Sequence, residues 1–198
     1  MKSNTEDLKT IRQMMEKSTK FLSLNGLSLV FAGIIALIGG WYANDILNCK
    51  CEIEILIPHL LITAIVVLTL AVGVITFFCW RKSKKNHQSL FNSVTRRAAY
   101  NLLVPLAAGG AFSLILLMRG YIAIIAAAML IFYGLGLINA SKYTFREIHF
   151  LGICEVIVGL LAAIFPYHGI LFWSIGFGGL HIIFGLIMYF KYEKRVNG

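Results

Sequence analysis

The sequence predicts an all-α polytopic membrane protein. Six transmembrane helices form three glycine-striped hairpins, preceded by a short amphipathic interfacial helix. Three observations predict this: six apolar runs of spanning length, a one-sided distribution of Lys and Arg between them, and glycines recurring every seven residues. Of the 198 residues, 59% are hydrophobic and 14% charged. Soluble domains average roughly 45–50% apolar and about 25% charged residues. Hydrocarbon is the solvent this composition suits.

A helix needs about 20 apolar residues to cross some 30 Å of hydrocarbon. The runs that meet or approach this length are 21–43, 55–80, 98–118, 121–140, 148–165 and 170–190. Residues 1–20 thus precede a six-helix domain covering 21–198. Only Arg119-Gly120 divides the third run from the fourth, and Pro166-Tyr167-His168-Gly169 divides the fifth from the sixth. Such short links make antiparallel neighbours. In the second link Pro166 is expected to end a helix and Gly169 to free the chain to reverse.

Sixteen of the 18 Lys and Arg residues fall on one side of this arrangement, leaving only Lys50 and Arg119 on the other. Basic residues mark cytoplasmic loops, so both termini are expected in the cytoplasm and the protein in the cell membrane. The net charge of +9 sits almost wholly in these short links. The expected partner is therefore the lipid bilayer, with no nucleic acid.

The N-terminal segment is too long and too charged before its first apolar run to read as a signal peptide, and Trp41 spoils a small-residue cleavage site. Ser3 and Glu6 have the spacing of a helix capping box. Leu8, Ile11 and Met15 recur at helical spacing opposite Lys9, Glu16 and Lys17. A short amphipathic helix on the cytoplasmic membrane surface follows; docking to a soluble partner is the alternative.

The glycines give the spans internal order. Gly26, Gly33 and Gly40 are seven apart, as are Gly152 and Gly159, and Gly178 and Gly185; Ala127 and Gly134 share the relation. The run from Gly26 through Gly33 aligns with that from Gly152 through Gly159, and Gly110 and Gly120 align with Gly159 and Gly169. Small residues let helix backbones approach closely in lipid, where apolar tails remove the usual hydrophobic drive.

The last hairpin runs Gly152, Gly159, Pro166, Gly169, Gly178, Gly185 and closes on the basic tail Lys191 to Arg195. In this it resembles the repeated hairpin of the HdeD-like small membrane proteins, a bacterial six-helix family linked to acid resistance. The likeness is best over Phe150–Arg195. It implies a non-enzymatic, stress-related membrane protein with no catalytic residues to carry over.

Glu155 is the one acid within a predicted span, near the middle of the fifth. Ionisable groups in spans usually face the bundle interior and mark proton relays or substrate paths. Folding the last hairpin about its turn brings His181 to the same depth. Each of the two sits three and four residues from flanking glycines, which places it on a glycine face of its helix. The two faces are expected to approach each other with Glu155 and His181 between them. The equivalent positions in helices one and four are Leu29 and Leu130, so packing alone does not call for this pair. Either it is an interhelical hydrogen bond, or it is a site that responds to protons or takes a small-molecule or ion ligand. Ser174, Cys154 and His149 are neighbours that could extend it. No ligand set for a metal is complete there.

Cys49 and Cys51 lie in the external loop, where a disulfide would close a very small ring; free thiols, pairing between chains or a metal-binding loop that two thiols alone do not complete are the alternatives. No phosphate loop, metalloprotease helix or nucleophile elbow occurs. The expected function is therefore non-enzymatic and cofactor-free, with a transporter or membrane-embedded binding module as the alternative. A homo-oligomer fits either reading.

Overall fold

The computed structural model describes residues 24–48, 53–85 and 92–194. The predicted N-terminal amphipathic helix and both cysteines of the predicted external loop, Cys49 and Cys51, lie outside these residues. Six helices are long and apolar enough to cross a membrane: α1 (Gly26–Asn48), α2 (Ile55–Lys85), α3 (Ser93–Met118), α4 (Ile122–Tyr143), α5 (Arg146–Ile164) and α6 (Pro166–Glu193). No strand occurs among the described residues. The chain is a multi-pass membrane protein.

Two helices do not start where their apolar runs start, and a capping side chain stands at each of these starts. α1 starts at Gly26, not Phe21. Asn25 caps it, its side chain accepting from the Leu27 N–H at 2.8 Å. Asn92 caps α3 in the same way, accepting from the Thr95 N–H at 2.8 Å. A capping side chain replaces one of the amide partners that a helix start lacks. α3 ends where Gly120 takes a φ of +79°, which admits the reversal into α4.

The second tight link corrects an expectation. Gly169 has a φ of −52° and lies in the helical region, so the reversal does not use its freedom. Phe165, at φ −117° and ψ 68°, and Pro166 turn the chain instead. Gly169 answers a packing need, since a Cβ there would lie 3.3 Å from the Ala126 Cβ.

α1 packs on α2 and on α6, and α4 on α3 and on α5, while among the described residues α2 and α3 make no extended contact with each other. α1, α4 and α5 carry most of the buried positions, and α2 and α3 present mostly apolar surface to the outside. The core is built around Leu29, Leu137, Ile148, Leu151 and Met188, with Leu130 and Ala162 in a second cluster.

The glycines pair helices differently from the sequence expectation. Those of α5 do not face those of α6. A Cβ on Gly152 would lie 2.7 Å from the Gly134 carbonyl oxygen, and one on Gly134 would lie 2.6 Å from the Gly152 carbonyl oxygen. A Cβ on Gly26 would lie 2.5 Å from the Gly185 carbonyl oxygen, and one on Gly33 would lie 2.7 Å from that of Gly178. The close seams are therefore α4 with α5 and α1 with α6, each joining consecutive or terminal hairpins.

One end of the bundle is tied by charge. The Gly26 N–H donates to Glu193 Oε1 at 2.7 Å, so the end of α6 caps the start of α1. Lys82 donates to the Leu24 carbonyl at 2.8 Å and stands 3.8 Å from Glu193. Beside this, Lys191 and the Tyr192 hydroxyl both donate to Glu147 in the first turn of α5, at 2.5 and 3.0 Å. An acid at a helix N-terminus also interacts favourably with the helix dipole.

The seams make a direct prediction. Gly152→Ala forces two backbones apart and is expected to destabilise by about 1–3 kcal/mol, the usual cost of overpacking. Gly73→Ala, whose Cβ would meet nothing within 4 Å, should stay within about 0.5 kcal/mol. Thermal unfolding of both variants in detergent micelles checks this.

Candidate intramembrane proton site

Glu155 and His181 do come together, at the junction of α4, α5 and α6. Glu155 is fully buried and His181 is 4% exposed. Glu155 Oε1 lies 3.4 Å from His181 Nδ1. The glycine that makes room for the acid is Gly176, not Gly178. A Cβ on Gly176 would lie 2.6 Å from Glu155 Oε2 and would also strike Leu130.

The reason is the local form of α6. Residues Ser174–Leu180 are π-helical, as are Tyr189–Glu193, on either side of the α-helical stretch His181–Met188. A π turn closes between residues five apart, rather than four. Gly176 and His181 are five apart and share a face, and His181 Nδ1 meets the Gly176 carbonyl oxygen at 3.1 Å. Gly178, three residues before His181, turns instead towards Leu37 and Gly33 of α1. Sequence spacing read with a 3.6-residue turn assigned it to the wrong face.

The third member is Tyr133 of α4, which the sequence reading did not single out. Its hydroxyl lies 2.8 Å from His181 Nε2. The two rings are roughly stacked, with centroids 5.5 Å apart and planes 27° apart. Phe177 adds a further ring, 5.0 Å from Tyr133 and 6.2 Å from His181. Spacing within one helix cannot reveal a partner on another. The available signal was a lone tyrosine among apolar residues one turn from Leu130, the leucine aligned with the polar pair.

These partners assign the histidine tautomer. A carbonyl oxygen can only accept, so Nδ1 carries a proton towards Gly176. In the neutral ring Nε2 then accepts from the Tyr133 hydroxyl. The Nδ1 proton is thereby committed, and among the described residues neither carboxyl oxygen of Glu155 has a hydrogen-bond partner. An isolated buried charge costs several kcal/mol. The two groups therefore have two low-cost combined states: acid with neutral ring, or carboxylate with imidazolium. Nδ1 already carries a proton and Nε2 faces Tyr133, so interconverting them at constant net charge takes a proton from Glu155 and adds one at Nε2, with the Tyr133 hydroxyl turning to accept from it.

The other residues singled out from the sequence lie elsewhere. His149 is six residues, or about 9 Å of helix rise, from Glu155. It sits 3.3 Å from the Ser141 hydroxyl and packs edge-on to Phe150. Ser174 packs against Gly40 of α1. Neither extends the pair. Cys154 is partly buried and free.

No family model, curated protein or solved structure matches this chain.

Tyr133 and His181 should be energetically coupled. In a double-mutant cycle, Tyr133→Phe and His181→Asn are expected to be non-additive by about 0.6–2 kcal/mol, the range for interhelical hydrogen bonds in membranes. Unfolding midpoints of the two single variants and the double variant measure it.

Proposed function

We propose that this chain is a non-enzymatic membrane protein that binds protons within the bilayer, at a Glu155–His181–Tyr133 site. The observation that carries this is the condition of Glu155. It is fully enclosed, neither of its oxygens is hydrogen-bonded among the described residues, and a histidine stands 3.4 Å away. A group serving only to join helices would be expected to satisfy its own hydrogen-bonding capacity. One that must gain and release a proton keeps that capacity open. The resemblance of residues 150–195 to the HdeD-like proteins fits the same reading, because acid resistance is a setting in which proton occupancy carries information. On this reading the three hairpins are a scaffold repeat, both ends face the cytoplasm, and the polar site is an addition to the last hairpin.

The transporter reading has less support. An open groove on α6, lined by Ile183, Leu186, Ile187, Phe190 and Lys191, includes none of the three site residues. A transport path would have to open through the packed junction around Leu130 and Gly176.

Infrared difference spectroscopy of the purified protein in lipid tests the proposal. A protonated carboxyl has its own carbonyl stretch, and its intensity should change as pH is stepped. Glu155→Gln should abolish that change, and His181→Asn should move the pH at which it occurs. If no pH-dependent carboxyl band is lost in Glu155→Gln, the proton site does not exist. In cells, expression of the chain should raise survival after acid challenge, and Glu155→Gln should not.

A further inference from the structure

A second feature lies apart from the proton site, on the outward side of α6. Ile183, Leu186, Ile187 and Phe190 line an open groove of about 560 Å³ that ends at Lys191. Its walls are branched aliphatic and aromatic. Helix–helix contacts in lipid favour small residues instead, so this surface suits a flexible chain better than another helix.

The end of the groove is cationic for a reason visible in the hydrogen bonding. Both acids that the described residues place at this end are already engaged. Glu147 accepts from Lys191 and Tyr192, and Glu193 accepts from the Gly26 N–H and faces Lys82. Lys194 and Arg146 remain, and among the described residues neither has a carboxylate within 4 Å. Aromatic rings hold both at the edge of the apolar surface. The Lys194 ammonium lies 5.5 Å from the centre of the Phe190 ring, and the Arg146 guanidinium 5.3 Å from that of Phe150. Phe190 thus joins the two halves: it lines the groove and carries a cation at its mouth. Among the described residues, Lys194 follows Lys191 by about one turn of α6 and Arg146 immediately precedes Glu147 in α5, so Lys191, Lys194 and Arg146 outnumber Glu147.

We propose that this groove and its cationic mouth bind one anionic phospholipid, with an acyl chain along Ile183, Ile187 and Phe190 and the phosphate headgroup at Lys191, Lys194 and Arg146. A zwitterionic lipid would bring its own cation into a cluster that already has an excess. The proposal is independent of the proton site, and it needs only that α6 spans the bilayer.

The test uses the full-length protein reconstituted in bilayers of equal parts phosphatidylglycerol and phosphatidylcholine. After extraction into mild detergent, the co-purified lipid is quantified by mass spectrometry. Each basic group near an anionic headgroup contributes about a fivefold preference. The wild type should therefore retain phosphatidylglycerol over phosphatidylcholine by fivefold or more. The double variant Arg146→Gln/Lys194→Gln should return the ratio towards that of the bilayer. Both positions are exposed, so the fold should tolerate the change, and Lys191 is left in place because it engages Glu147. Ile187→Trp should fill the groove and lower the total lipid retained. Equal retention of the two lipids by the wild type would overturn the proposal, as would a preference unchanged in both variants. Release of the lipid by excess inorganic phosphate would also overturn it, since the cluster would then take a free anion rather than a lipid.

Discussion

Backbone-to-backbone approach at glycine is the constraint on which the rest of this structure depends. In lipid, a leucine on a helix surface gains nothing by leaving the tails for another helix, so attraction must come from close contact. Gly26 with Gly185, Gly33 with Gly178, and Gly134 with Gly152 provide that contact, bringing carbonyl oxygens to where a Cβ would stand. These seams fix α1 against α6 and α4 against α5. The junction of α5 with α6 is left without a glycine seam of its own, and the polar residues occupy it. Glu155 and His181 meet there, buried, with the Tyr133 hydroxyl on the far nitrogen of the ring.

The π-helical turn at Ser174–Leu180 reconciles two demands on α6. The helix must show Gly178 and Gly185 to α1, and it must also turn His181 towards α4 and α5. A regular α-helix places residues three and four apart on one face and would direct Gly178 and His181 the same way. The wider turn separates them, and the Gly176 carbonyl is brought to His181 Nδ1. π-helical turns are rare and frequent at functional sites. Here the irregular turn is what makes a polar site compatible with a glycine seam on the same helix.

The charged end of the bundle works by engagement of its few acids. Glu193 closes the start of α1 from the far end of the chain, and Glu147 gathers Lys191 and Tyr192 onto the start of α5. The basic excess that the sequence shows as a topological signal is thereby sorted into cations that tie helices together and cations that face outward. Lys82 belongs to the first group, Lys194 and Arg146 to the second.

The sequence by itself determined the solvent of this protein, the number of its spans and the two ionisable residues that packing does not require. Those are properties of composition and of local runs, and each is decided within some 20 residues. It also placed Glu155 and His181 at one depth, because a short link leaves two antiparallel helices little freedom to slide. What only the tertiary structure decided is which faces meet. The seams join α1 with α6 and α4 with α5, Gly176 rather than Gly178 admits the acid, and Tyr133 completes the site from a third helix. His149 and Ser174 point elsewhere. The physical reason is angular. Depth along a helix follows from counting residues, whereas the direction a side chain takes depends on the turn of the helix, and a π-helical turn changes that direction for every residue beyond it.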